Sequence, residues 1–322
     1  YRAGLTSTDF IRVGDRLIDT GDYSGTGGAR LLMRQPDVDM AVLEVARGGL
    51  LRRGLGVAYF SYGSGTYPVC VKAASARLIL NQDGSVHLQM GATEIGQGAD
   101  TVFAQMAAET LGVPFAKVHV VSTQDTDGTP FDTGAYASSG TFFSGNAALQ
   151  AAKLMKEKIL DVAAGMLKED KQDLQILYPG IVKGKKGGIT YQKIETFSEK
   201  GTGGGQLVAS ANFTTDDSAF PYGAHFCQVA VNTRTGKVKI QKYFALQDCG
   251  TPINPELALG QIHGGVLKAI GHSLYEEMIL DETGRCLNAS LKDYKVPMIN
   301  YLPEDFRAKL PITDDPLGPF GG

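Results

Sequence analysis

The sequence predicts an α+β fold, mixed sheets with long packed helices, with a small α/β piece at the N-terminus. Three observations point there. SARLILNQDGSVHLQMG alternates apolar and polar residues around Asp83-Gly84, and residues 223–249 do the same around NTRTGK, so two β-hairpins are expected. Residues 141–167 carry apolar positions at helical spacing over a length that suits a long amphipathic helix. Hydrophobic residues make up 43% of 322, enough for a large core.

The elements follow in order. RLIDTGD reads as a strand and turn, GGARLLMRQP as a short helix stopped by Pro36, and DMAVLEVA as a buried strand by its continuous apolar run. After residue 58 comes the first hairpin, then a helix from Ala99 to Leu111 ended by Gly112 and Pro114. KVHVVST is the next strand. A loop from Gln124 to Ser138, rich in Asp, Thr and Gly, leads into the helix from Thr141 to Leu167. Residues 170–221, with GKKGG and GTGGGQ, read as hairpins and a mobile loop. After the second hairpin, Asn254 is placed to cap a helix that Pro255 opens and that extends to Leu274. No internal repeat of fixed period is present.

Composition excludes several functions. Net charge is −3 with no basic block, which argues against a surface that tracks nucleic-acid phosphates. No apolar run is long enough to span a bilayer. YRAGLTSTDF lacks the charged head and apolar middle of a signal peptide, and it has no initiator Met, so a natural start further upstream is expected. Cys70, Cys227, Cys249 and Cys286 are far apart in sequence, so no CxxC zinc site or local iron–sulfur pattern exists. Free thiols in a cytoplasmic protein are expected. The 41 glycines imply many tight turns, or backbone held close to a bound group.

Three stretches carry candidate chemistry. In GATEIGQGAD a strand ends and a helix begins, and Gly96 and Gly98 expose N–H groups that suit an anionic or polar group; Gln97 between them can donate and accept. In FDTGAYASSGTFFSGNAAL, Ala137, Ser138, Ser139 and Gly140 precede the long helix and offer hydroxyls and N–H groups to a phosphate or pterin edge. In DCGTPINPELALGQIHGG, Gln261 and His263 lie early in an apolar, Gly-rich helix, where a buried Gln needs a partner. Each alone also reads blandly: a strand-to-helix turn, a well-made N-cap, a core or exposed histidine.

In this order the three stretches resemble the molybdenum hydroxylases, and more narrowly the molybdopterin-binding subunit of the xanthine dehydrogenase family. The resemblance runs from about residue 53 to 322 and is nearly continuous through GLGVAYFSYGSGTYP, GATEIGQGADTVFAQMAAETLGVP and STQDTDGTPFDTGAYAS. It implies the fold of that family's cofactor-binding domain over 57–322. It also implies a molybdenum pterin, as Mo-molybdopterin or its cytosine dinucleotide form, that hydroxylates a small-molecule heterocycle or aldehyde with oxygen from water. The cofactor would carry the redox chemistry while the protein positions it. Gln97, flanked by Gly96 and Gly98, would hydrogen-bond near the metal. Ala137, Ser138, Ser139 and Gly140 would line the pterin or phosphate side, and Gln261 would contact the group from the Gly-rich helix. None would ligate the metal. Iron–sulfur and FAD subunits would take the electrons.

Two departures accompany the resemblance. The family's general-base Glu follows a stretch like GPFG, and the chain stops at Gly322, so no catalytic residue is assigned and activity of the chain alone is not expected. The family's upstream GGGFG-type motif is absent, GTGGGQ being in the wrong place. Ser139 also stands where some members have Arg, which bears on substrate class.

Residues 3–56 are different. TSTD after a strand and LEVARGGLLR after a buried strand resemble the Mur-ligase-like domain of cyanophycin synthetases, implying an ATP-dependent amide ligase fragment in which Glu44 helps hold magnesium. The phosphate-cradling Gly-Lys-Thr loop is absent. RRGLG, residues 52–56, satisfies both families, so the chain is read as a chimera of 1–56 and 57–322 joined between Arg53 and Val57. A non-catalytic protein that keeps only the fold is the third reading.

Overall fold

The computed structural model describes residues 3–6, 10–13, 15–20, 40–43, 46–47, 51–65, 72–121, 125–202 and 204–322. The helix expected at GGARLLMRQP, together with Glu44 and Cys70, lies outside the described residues. The strands are β1 (Ala3–Thr6), β2 (Phe10–Val13), β3 (Arg16–Thr20), β4 (Met40–Leu43), β5 (Ala46–Arg47) and β6 (Leu51–Ser61). Next come β7 (Ala73–Leu80), β8 (Val86–Met90), helix α1 (Ala99–Leu111), β9 (Val118–Val121) and helix α2 (Gly145–Leu167). Then follow β10 (Gln175–Leu177), β11 (Ile181–Gly184), β12 (Gly187–Thr190), helix α3 (Tyr191–Phe197) and β13 (Val208–Thr214). β14 (Tyr222–Asn232), β15 (Val238–Asp248), helix α4 (Pro255–Leu274) and β16 (Asp305–Lys309) complete the set.

The chain forms two compact units. The first comprises residues 1–62, 220–249 and 255–312; the second comprises 63–219, 250–254 and 313–322. In the first, nine strands form one sheet in the order β16-β15-β14-β6-β4-β1-β2-β3, with β5 also on β6. β14 and β15 are the hairpin expected at NTRTGK. Asn232 Oδ1 accepts from the N–H groups of Arg234 and Thr235, and Gly236 takes the left-handed conformation that closes the turn. α4 lays Ile262, Val266 and Ile270, spaced at i, i+4 and i+8, over Ala245 and its neighbours on that sheet.

The division of structure does not follow the boundary read at 56/57. β6 runs unbroken through RRGLG, pairing with β14 from Leu51↔Asn232 to Ser61↔Tyr222, while β4 and β5 pair along its other edge. The described strands of residues 3–56 therefore belong to the same sheet as β14 and β15.

In the second unit, β13-β7-β8-β9 form a four-stranded sheet and β10-β11-β12 a three-stranded one. The expected hairpin joins β7 to β8: Gly84 is left-handed, and Asp83 Oδ1 accepts from the Ser85 N–H. That hydrogen bonding, with Lys117 alongside, lowers the Asp83 carboxyl to about 2. Alternation buries Leu78, Leu80, Val86, Leu88 and Met90 on one face of the sheet, where α1 and α2 cover them with Phe103, Met106, Leu111, Met155 and Ile159. Gly112 ends α1 in the left-handed conformation, as its position in the sequence predicts.

Two expectations need amendment. The long helix begins at Gly145, because residues 140–144 form a π turn that widens the backbone before regular α geometry sets in. The stretch 170–221 also contains α3, which the sequence reading passed over. Thr190 caps it by accepting from the Lys193 N–H, and the buried Tyr191 hydroxyl donates to Leu111 O at 2.6 Å.

α3 also carries Glu195, a fully buried carboxyl. Burial raises its pKa, opposed by the Leu207 N–H that lies 3.3 Å from both oxygens. A carboxyl whose pKa is raised on folding favours the fold when protonated, and that contribution fades as pH rises from the ordinary carboxylate value through the raised one. Glu195→Gln keeps an acceptor for Leu207 without a charge to bury. We expect its thermal midpoint to exceed that of the wild type at pH 8 and the gap to shrink toward pH 5; an equal gap at both would refute the account.

Candidate functional site

The second unit places both candidate turns at the starts of helices that pack on each other. The first turn, residues 93–98, leads into α1. Gly96 and Gly98 both have positive φ, which glycine adopts without strain. The sequence predicts uncovered N–H groups here, and the structure corrects that. Glu94 folds back over the turn: its Oε1 accepts from Gly96 at 2.7 Å and Gly98 at 3.1 Å, and its Oε2 from Asp100 at 3.1 Å. Burial works to raise the Glu94 pKa, but these backbone donors outweigh it and the net shift is downward. The helix N-terminus thus already has its anion, supplied by the chain.

Gln97 is oriented by the same turn. Its Oε1 accepts from the Ile95 N–H at 2.7 Å, and its Nε2 donates to Thr93 O at 2.8 Å. A primary amide has two donor hydrogens, so one remains for a ligand. A Cβ built on Gly96 would meet nothing within 4 Å, so the backbone there is open to close approach.

The second turn spans residues 132–144. Asp132 organises it, accepting from the Gly134 N–H at 2.8 Å and the Ser144 hydroxyl at 2.7 Å. Ala137 (φ 55°) and Ser138 (φ 51°) are consecutive left-handed residues that are not glycine. Such strain persists only where surroundings enforce it. Here the enforcing contacts are Gly65 N–H on Ala137 O at 2.9 Å and the buried Ser139 hydroxyl on Tyr136 O at 2.6 Å. Lys72, also buried, donates to Gly134 O and stands 3.9 Å above the Tyr136 ring. Ser138 is exposed, and a Cβ on Gly140 would meet nothing within 4 Å.

The GPFGG stretch packs beside this turn. Asn146 in the first turn of α2 donates to Leu317 O at 2.9 Å, and a Cβ on Gly145 would come within 2.9 Å of Pro319.

In the first unit, Gln261 and His263 sit on α4 and are exposed. Gln261 lies off the buried stripe of Ile262, Val266 and Ile270, so it has no burial to compensate. Gly260, Gly264 and Gly265 have nothing within 4 Å of a built Cβ, which leaves part of α4 bare. The His263 ring is 5.0 Å from Phe306.

The donor chemistry suits a pterin cofactor: one oriented amide with a spare N–H, a strained turn with an exposed hydroxyl, and bare glycine backbone. Among the described residues no group of three or more His, Cys, Asp or Glu could hold a metal ion. No helix among them is long and apolar enough to cross a membrane. Sequence reading missed Glu94, Asp132 and Lys72; the signal available was a carboxylate just ahead of each Gly-containing turn.

The chain belongs to the molybdopterin cofactor-binding domain family, whose model matches residues 36–303. The expected molybdenum pterin is therefore the cofactor of its family. "Probable hypoxanthine oxidase XdhD" of Escherichia coli (strain K12) is 50% identical over 268 residues, 83% of this chain and 28% of the relative. The "Xanthine dehydrogenase molybdenum-binding subunit" of Escherichia coli O157:H7 is 45% identical over 261 residues, 80% of this chain and 35% of the relative. Among solved structures, quinoline 2-oxidoreductase from Pseudomonas putida 86 superposes with a TM-score of 0.73 at 30% identity, covering 84% of this chain and 36% of that one. CO dehydrogenase from Oligotropha carboxidovorans gives 0.75 at 29% identity, covering 85% and 35%. The chain thus spans about a third of the length of these relatives, and the expected α+β fold of mixed sheets and long helices is theirs.

The Glu94 turn yields a prediction. A carboxylate whose pKa is lowered on folding stabilises the fold above its ordinary pKa, and that contribution is lost as pH falls through the lowered value. Glu94→Ala should cost about 1–2 kcal/mol at pH 7, as for a lost helix cap. The difference from wild type should narrow as pH falls below the ordinary carboxylate value of about 4.3. Urea denaturation at pH 7 and pH 3.5 checks this; a difference that does not depend on pH would rule it out.

Proposed function

We propose that the chain supplies part of the cofactor cradle of a molybdenum hydroxylase, which oxidatively hydroxylates a heterocycle or an aldehyde. The observation that carries this is Gln97, locked by two backbone hydrogen bonds and still left with one amide hydrogen to offer. The names of the two Escherichia coli relatives favour a purine. When bound, the cofactor supplies the two-electron oxidation and the transfer of oxygen derived from water. Gln97 orients a polar oxygen by donating to it, with Gly96 leaving room beside it. Ser138 donates its hydroxyl, Ala137 and Ser139 fix the turn, and Gly140 keeps the approach open. Gln261 is a further candidate contact on resemblance alone. Related proteins are named as subunits or chains, which supports partner subunits; iron–sulfur and FAD modules as the electron acceptors, and the cytoplasm as the location, rest on the family resemblance alone.

A separate origin for residues 1–56 rests on the sequence resemblance alone. The family model opens earlier, at residue 36. A single genomic reading frame across residue 54, with further ligase and hydroxylase sequence on either side, would end the chimera reading.

The cradle is tested by molybdenum and phosphorus per chain after expression in a host that makes the pterin. Near-stoichiometric molybdenum is expected. The phosphorus-to-molybdenum ratio doubles if the dinucleotide form is bound. Gln97→Ala should reduce occupancy, since a contact just outside the metal's own ligands is worth about 10–100-fold in affinity or activity, and Ser138→Ala should reduce it by less, for the loss of one hydrogen bond worth about 0.5–1.5 kcal/mol. Molybdenum at background in a folded wild-type chain would overturn the cradle and leave the non-catalytic reading.

A further inference from the structure

We propose that His87 and His119 form a two-imidazole site for a divalent transition-metal cation on the outer face of the four-stranded sheet. β8 and β9 are parallel neighbours, and their register sets His87 directly opposite His119. Alternation fixes which way both point. Val86, Leu88 and Val118 are buried beneath the helices, so His87 and His119 project from the opposite face, where both are exposed. Their rings are 5.8 Å apart with planes at 76°.

That spacing is close to what a shared metal requires. A cation about 2.0–2.1 Å from each nitrogen sits roughly 3.2 Å from each ring centre, so a tetrahedral angle calls for centres about 5.2 Å apart. Exposed side chains on adjacent strands close the remaining half ångström, on that order, by small χ rotations. The strands themselves need not move.

The surroundings set the class of ion. Imidazole nitrogens suit copper, nickel and zinc over magnesium and calcium. Neighbours on this face are Ile79, paired with His87 across β7, and Gln89 and Val121 one pair further along. The nearest carboxylate by hairpin position, Asp83, is engaged by the Ser85 N–H and by Lys117 at 3.5 Å, so it is not a third ligand. Two protein ligands leave the other positions to water, which makes the site labile and exchangeable. It uses no residue of the molybdenum cradle.

Nickel(II) is the probe, titrated calorimetrically into the full chain in a non-coordinating buffer. One site per chain is expected, weakened about tenfold or more in both His87→Ala and His119→Ala. His272→Ala, which removes an exposed lone histidine on α4, should bind as wild type does. Saturating nickel should raise the thermal midpoint of the wild type, because the ion binds only the paired strands, and leave that of either pair variant unmoved. Copper(II) should report two equivalent nitrogens in its paramagnetic resonance spectrum. Undiminished nickel binding in either pair variant, or none by the wild type at millimolar nickel, overturns the proposal.

Discussion

The Glu94 carboxylate is the contact on which the glycine turn ahead of α1 depends. A glycine-rich turn has no side chains with which to pack itself into one conformation. Something else must remove the backbone freedom that Gly96 and Gly98 bring. Glu94 does so by gathering the N–H groups of Gly96, Gly98 and Asp100 onto two oxygens. Gln97 is then presented at a fixed angle. Asp132 performs the same task for the second turn through Gly134 and Ser144. In both places a carboxylate ahead of the turn replaces the packing that small residues cannot provide.

Below these turns lies an ordinary core, and its ordinariness is what makes the turns possible. α1 and α2 rest on one face of a four-stranded sheet through alanines and a few large side chains, among them Phe103, Met106 and Met155. Small residues let the helices lie close, so their starts are fixed relative to each other within the unit. Met106 shows this directly: a Cβ on Gly145 would approach its Sδ and Cε at 3.2 and 3.1 Å. The strain of Ala137 and Ser138 is carried by the hydrogen bonds around them and by the rigid α2 that follows.

Long-period features were legible in the sequence. The helix 99–111, its Gly112 end and both hairpins follow from apolar spacing and turn residues, and these are local signals. The π turn ahead of α2 was not legible, because its residues, GTFFS, also suit a regular helix start. α3 was missed since seven residues give too short a window for periodicity, and its stability comes from Tyr191 burying against the chain 80 residues earlier. Among site residues, the sequence picked Gln97 and the 137–140 turn but not the carboxylates that hold them. Their role depends on chain reversal, and no spacing rule encodes which N–H groups a Glu will reach. Gln261 was read as needing a partner if buried; α4 instead presents it to the exterior, because the apolar stripe that fixes the helix runs through 262, 266 and 270.

The occupied N-terminus of α1 has a consequence for charge. The sequence alone suggested an anion-binding turn at Gly96–Gly98, but Glu94 already places a carboxylate there, and a second anion would meet like charge at short range. An electrically neutral acceptor, such as an oxygen that takes one hydrogen bond from Gln97, suits that turn. A phosphate would suit the 137–140 turn better, where the Ser138 hydroxyl is exposed. Under the proposed reading the two turns are therefore not interchangeable. The carboxylate that rigidifies the first also determines which end of the cofactor can face it, so one side chain serves both the fold and the orientation of what the fold holds.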